Sequence, residues 1–133
     1  MTLFDLVKTS MRHRPDILIV GEVRGQEAYV LFQALATGHG GMCTMHAENL
    51  DSAVKRLTQK PMDIAPAYIP LMNIVLSIQR VHLVKGTEKK AYRRVMSVNE
   101  IADYEDYRVA MKWHPTKDEY VPAFDKSLVL SMI

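Results

Sequence analysis

Arg14–His46 reads RPDILIVGEVRGQEAYVLFQALATGHGGMCTMH, and this stretch decides the fold. Pro15-Asp16 is a turn pair, and Ile17-Leu18-Ile19-Val20 follows it without alternation. A short apolar run rich in β-branched residues reads as a strand covered on both faces, the kind found in parallel sheets. The run ends on Gly21-Glu22. A carboxylate at the carboxyl end of such a strand lies where open α/β sheets bind ligands. Ala28, Leu31, Phe32 and Leu35 then recur at helical spacing, so Gln26–Thr37 is expected to be a helix with Gly38 as its left-handed C′ residue. Met42–Met45 is short and reads as a second buried strand. Strand, helix, strand should gather Glu22, His39 and His46 at one sheet edge, an arrangement suited to handling phosphate.

Working outward, Leu3, Leu6 and Val7 predict a helix over Thr2–His13. Thr2 and Asp5 are placed to form a capping box. Leu50, Ala53, Val54 and Leu57 predict a third amphipathic helix, capped by Asn49 or Asp51, with Lys55 and Arg56 suiting its C-terminal dipole. Pro61, Pro66 and Pro70 then redirect the chain through a turn or short helix. Asn73–Val84 and Ala91–Ile101 read as a hairpin across the polar turn Lys85–Lys90. The first strand of that hairpin is expected to be core. Arg108–Trp113 and Glu119–Phe124 bracket a turn at 114–118, and Ser127–Ile133 is expected to close as a short helix. The character of the chain changes near Val81, and we place the boundary between a first domain, 1–84, and a hairpin-rich region, 85–133.

The bulk numbers exclude several classes. The 133 residues are 48% hydrophobic and 24% charged, as in an ordinary globular protein with one real core. A formal charge of +2 is too small to argue for a nucleic-acid partner, and none is expected. The single cysteine, Cys43, excludes an internal disulfide framework and fits a reducing compartment. No apolar run reaches the roughly 18 residues that span a bilayer. Asp5 and Lys8 interrupt any signal-peptide core, so a cytoplasmic location is the expectation.

Glu22 is the first candidate for chemistry. A carboxylate after four apolar strand residues is the Walker-B pattern, in which it orients an attacking water or holds Mg²⁺ through water. The plain alternative is an ion pair with Arg24 at the sheet edge. Gly38-His39-Gly40-Gly41 lets backbone approach a ligand closely, and a neutral imidazole can donate to a phosphate oxygen. The plain alternative there is a capped helix end, with His39 in a loop and His46 in the core. Arg24, two residues past Glu22, is better placed than Arg12 or Arg14 to neutralise phosphate charge. Zinc held by His39, Cys43 and His46 is a third reading, although no CxxC or HExxH spacing supports it.

Together these residues resemble the secretion ATPases of type II and type IV systems, which include pilus and archaellum motors. Arg14–Arg24 is similar to that family's Walker-B region, and TGHGGMCTMHA (37–47) is similar to its His box, in the family's order and spacing. The similarity runs from about Leu6 to Val81, and the tail from Arg93 resembles the archaeal branch. The resemblance implies part of a RecA-like P-loop NTPase domain, the C-terminal half of its sheet with flanking helices. It implies ATP and Mg²⁺ as cofactors, a homo-hexamer, and a place at the cytoplasmic face of a membrane platform protein. Carried onto this chain, Glu22 is the catalytic Walker-B residue, touching Mg²⁺ through water, and Arg24 supports it. Gly21, His39, Thr44 and His46 take the phosphate-sensing positions.

One part of the family pattern is missing. None of the six glycines begins G-x-x-x-x-G-K-[ST], and no Gly-Lys pair exists. Without that loop there is no backbone cradle or lysine for the β- and γ-phosphates. The expectation is therefore the C-terminal part of a motor ATPase, inactive alone. The alternative is a non-catalytic oligomerisation or platform-docking module of the same descent.

Overall fold

A computed structural model describes residues 2–85 and 88–129. Gly86 and Thr87 in the expected polar turn, and 130–133 in the expected closing helix, lie outside the described residues. The chain divides into two compact units between Leu71 and Met72. The strand that follows pairs into the hairpin, which is why the units part earlier than the 84/85 boundary read from composition.

The first unit is α/β. Helix α1 spans Leu3–Ser10 and continues as a 3₁₀ turn, Met11–His13. Its capping box is complete: Asp5 N–H donates to Thr2 Oγ1 at 3.2 Å, and Thr2 N–H donates to the Asp5 carboxylate at 2.8 Å. Strand β1 is Ile17–Val20, helix α2 is Glu27–Ala36, strand β2 is Gly40–Cys43 and helix α3 is Leu50–Thr58. Gly38 ends α2 at φ +92°, a left-handed conformation that favours glycine. Asn49 caps α3 by accepting from Ser52 N–H at 2.8 Å. A 3₁₀ segment, Pro66–Met72, follows.

Strands β1 and β2 are parallel, with Ile17 beside Gly40 and Val20 beside Cys43. Here the sequence reading needs correction, because β1 is covered on one face and not on both. Leu18 and Val20 are buried, whereas Ile17 is 55% and Ile19 75% exposed. An unbroken apolar run cannot say how many layers cover it. Helix α2 packs on the Leu18 face, and among the described residues no second layer covers the other. Gly41, beside Leu18, makes that packing possible. A Cβ there would stand 2.7 Å from Leu35 Cδ2 and 3.2 Å from Leu31 Cδ1. Leu31, Phe32 and Ala34 of α2, Val54 and Leu57 of α3, and Met62, Ile64 and Ile69 are all buried in this unit.

The second unit is an antiparallel sheet in the order β3 (Ile74–Lys85), β4 (Glu88–Asp103), β5 (Asp106–His114), β6 (Glu119–Pro122). Ile101, Ala110 and Trp113 are buried in it. Arg94 donates to both Asp118 carboxylate oxygens at 2.7 and 2.8 Å, and Trp113 Nε1 donates to the same carboxylate at 3.0 Å. Strand β3 is not core as expected. It lies at a sheet edge, and Ile74, Leu76, Ile78 and Val84 are exposed along one face.

Glu100 is buried beneath the segment after β6. Its carboxylate accepts from Ser127 Oγ and from Leu128 N–H, each at 2.5 Å. The Ser127 hydroxyl holds its pKa below the ordinary carboxylate range; burial opposes this, and the Leu128 and Val129 N–H groups and Arg108 reinforce it. A folded value below the unfolded one means the contribution is complete above the unfolded pKa of about 4.3 and is lost as pH falls through the folded value. Glu100→Gln is therefore expected to flatten the acid-side loss of stability below about pH 4, measured as urea midpoints from pH 3 to 7. Parallel curves for the two proteins would remove Glu100 from that role.

Candidate functional site

The parallel register brings the ends of β1 and β2 together. Val23 N–H donates to the Thr44 carbonyl at 2.9 Å, one step beyond the strands. Thr44 Oγ1 donates back to the Gly21 carbonyl at 2.5 Å. These two bonds tie the Glu22 turn to the segment leading to His46. Both segments leave their strands at the carboxyl end, where main-chain groups run out of ladder partners.

Glu22 faces two nitrogen-bearing groups. Arg24 Nε and Nη2 each donate to one of its oxygens at 2.7 Å, a bidentate pair. His46 Nε2 lies 3.4 Å from Glu22 Oε1. The Arg24 hydrogen bonds hold the Glu22 carboxyl below its ordinary range; desolvation opposes this, and the charges of Arg24, His46 and Arg56 add to it. The same bonds raise the Arg24 guanidinium. Glu22 therefore stays ionised and is a weak proton acceptor. The Arg24 side chain is 72% exposed, so the pair adds little to stability.

His39 is not part of this cluster, and the expected gathering of Glu22, His39 and His46 at one edge needs correction. His39 precedes β2, at the opposite end of the strand from Thr44. Four residues of strand separate the two ends, on the order of 13 Å. His39 instead closes α2. Its N–H donates to the Ala34 carbonyl at 3.1 Å, and its Nδ1 lies 3.2 Å from Thr37 Oγ1.

The sequence reading gave neither Glu27 nor Arg56 a place in the site. Glu27 Oε1 accepts from Arg24 N–H at 2.6 Å and Gly25 N–H at 2.8 Å, which fixes the turn carrying Arg24. Burial works to raise the Glu27 carboxyl, but the N–H groups of Arg24, Glu27 and Gly25 outweigh it and hold it low. The signal was an acidic residue in the first turn of a helix behind V-R-G-Q. Arg56, read as a dipole partner of α3, donates through Nη1 to the His46 carbonyl. It lines an open cleft of about 520 Å³ with His46, Ala47, Glu48, Ser52, Lys55 and Gln59.

The donor set accommodates part of a Mg²⁺–nucleotide complex. Glu22 can meet a metal-bound water, Arg24 and Arg56 supply positive charge nearby, and Lys55 lines the adjoining cleft. Nothing here replaces a P-loop around the inner phosphates. Among the described residues no group of three or more His, Cys, Asp or Glu is placed to hold a metal ion directly.

A family described as Type II/IV secretion system protein matches residues 1–112. The chain belongs to this secretion family. A similar protein, an uncharacterized protein of Methanocaldococcus jannaschii, is 36% identical over 126 residues, covering 90% of this chain and 45% of the relative. The conjugal transfer protein TrbB of Rhizobium radiobacter is 40% identical over 104 residues, covering 77% and 30%. The competence protein ComGA of Streptococcus pneumoniae is 29% identical over 124 residues, covering 90% and 34%. The chain thus spans less than half the length of these relatives. Among its described residues no helix is long and apolar enough to cross a membrane.

Proposed function

We propose that this chain is the Walker-B and His-box portion of a motor ATPase that couples ATP hydrolysis to protein translocation or filament assembly. The observation that carries this reading is the meeting of Glu22 and His46 at 3.4 Å at the carboxyl end of a parallel strand pair. Bound Mg-ATP supplies the scissile phosphoanhydride and the metal charge. The protein's part is orientation. Glu22, ionised and a weak base, accepts hydrogen bonds from water and aligns it. Arg24 fixes the carboxylate from one side. His46 lies on the other, so the position of its loop is sensed at Glu22. Thr44 and Gly21 keep the two strand ends in register. His39 acts from the far end of β2, by setting where α2 stops and β2 starts.

The working form in this reading is a homo-hexamer at the inner face of a membrane platform protein. The RecA-like sheet is completed by a P-loop-bearing half. This chain alone should then bind nucleotide weakly and turn over none. A titration with Mg-ATP, followed by NMR at His46, His39 and the Gly21–Glu22 amides, is expected to give no saturable shift below about a millimolar, since P-loop contacts are absent. Saturable shifts localised at Gly21–Glu22 and His46 would overturn the dependence on the P-loop. The second reading, a docking module without chemistry, is favoured by the bidentate Arg24 pair occupying both Glu22 oxygens.

A further inference from the structure

The β3–β4 hairpin has two faces that treat their cations differently. On one, Arg94 is matched by Asp118 and Lys90 by Glu88. On the other, Arg80 stands directly across from Arg93, with His82 opposite Ala91 and Val84 opposite Lys89 as the next pairs along. Directly opposed residues of an antiparallel pair share a face, with Cβ atoms about 5 Å apart, and like charges so placed destabilise the pair. Arg80, His82, Lys89 and Arg93 are all exposed. Among the described residues, no carboxylate lies within ion-pair distance of any of them. The hairpin thus carries uncompensated positive charge on one face, while Arg94 and Lys90 on the opposite face are each matched by a carboxylate.

We propose that this face docks an extended acidic segment of a partner protein, which adds to the edge of β3 and sets carboxylates at alternate positions beside Arg80 and His82, with Arg93 on the next strand adding to the charge of that face. This goes beyond the motor reading and does not depend on it. Three observations choose the occupant. Strand β3 is the sheet edge and runs for twelve residues, so it offers a row of backbone donors and acceptors that a peptide strand satisfies. Alternate residues of an added strand share one face, so carboxylates two apart in sequence meet the Arg80–His82 side together. Ile78 and Val84 flank the cations on that face, at 58% and 68% exposure, and would be covered by the apolar parts of the same segment. A second copy of this chain is a poor occupant, because pairing two β3 edges adds cation to cation. Nucleic acid is a poor one too. The aromatic residue of this region, Tyr92, lies on the opposite face beneath Arg94, whose guanidinium is 5.1 Å from its ring centre, and so offers no stacking platform here.

The test is a titration of the ¹⁵N-labelled 133-residue chain with a ten-residue peptide of alternating threonine and glutamate. Saturable shifts confined to 74–85 and 88–95 are expected, weakening at least about tenfold as salt is raised. The Arg80→Glu/Arg93→Glu variant should lose binding by at least about tenfold, and Arg80→Lys/Arg93→Lys should keep it. An unchanged Trp113 indole resonance certifies that both variants fold. Equal binding of a threonine–glutamine peptide would overturn the proposal, as would binding that survives charge reversal. So would tighter binding of duplex DNA or phosphatidylglycerol vesicles at the same residues, or self-association through β3 in sedimentation.

Discussion

On the Walker-B reading, Glu22→Gln, placed in a P-loop-bearing form of the protein, is expected to lower ATP hydrolysis by on the order of 10²-fold or more and to leave ATP affinity within about threefold. The substitution keeps the shape of the side chain and one acceptor for Arg24. It removes the charge that Arg24 and His46 face at 2.7 and 3.4 Å. An amide that replaces one acceptor oxygen with a donor cannot align a water in the same way. On the same reading affinity should survive, because the inner phosphates would be held by a P-loop, which this segment does not contain. The pair of measurements is steady-state turnover and equilibrium binding of a fluorescent nucleotide. Turnover close to the parent value would end the Walker-B assignment. It would leave the Glu22–Arg24 ion pair as a surface feature of a docking module.

Leu31→Ala is expected to destabilise the first unit by about 3–5 kcal/mol, the upper part of the range for such truncations. Leu31 is 2% exposed and projects toward Gly41, where β2 has no side chain. The cost of truncation depends on how well neighbours collapse into the space. A glycine across the gap has nothing to offer, and the β2 backbone is tied to β1 along the register. Domains of this kind are stable by about 5–15 kcal/mol, so the change removes a large share of the total. Urea unfolding followed by far-UV circular dichroism gives the loss. Amide exchange assigns it: protection should fall at 28–36 and 50–58 and hold at 88–114. A loss under about 1 kcal/mol would mean that α2 repacks freely on the sheet.

What could be read from the residues was mostly local. Thr2 and Asp5 are three apart and find each other within one turn. Asn49 reaches Ser52, and Gly38 supplies the left-handed turn, by the same short-range logic. The Glu22–Arg24 pair, entertained as the plain alternative to catalysis, is also two residues long. Long-range outcomes were hidden. His39 and His46 lie seven apart in sequence, but β2 runs between them and sends them to opposite ends. The second strand begins at Gly40, two residues before the apolar pattern suggests, because Gly40 N–H pairs with the Asp16 carbonyl and Gly41 admits α2. Ile17 and Ile19 look identical to Leu18 and Val20 in any hydropathy count. Only the placement of α2 separates covered from open. The Arg94–Asp118–Trp113 cluster joins residues up to 24 apart, and no pattern in the chain announces it.

That cluster has an optical consequence. Trp113 is the chain's single tryptophan. Its ring is buried in the second unit, and its N–H is spoken for by Asp118, itself engaged by Arg94. Emission excited near 295 nm therefore comes from the hairpin region alone, and its colour tracks the dryness of that one indole. The half that carries Glu22 contributes tyrosine light at most, from Tyr29 and Tyr68. A melting curve recorded by tryptophan fluorescence is blind to the first unit. The gap between that curve and one recorded by backbone circular dichroism is a direct reading of how independently the two units come apart.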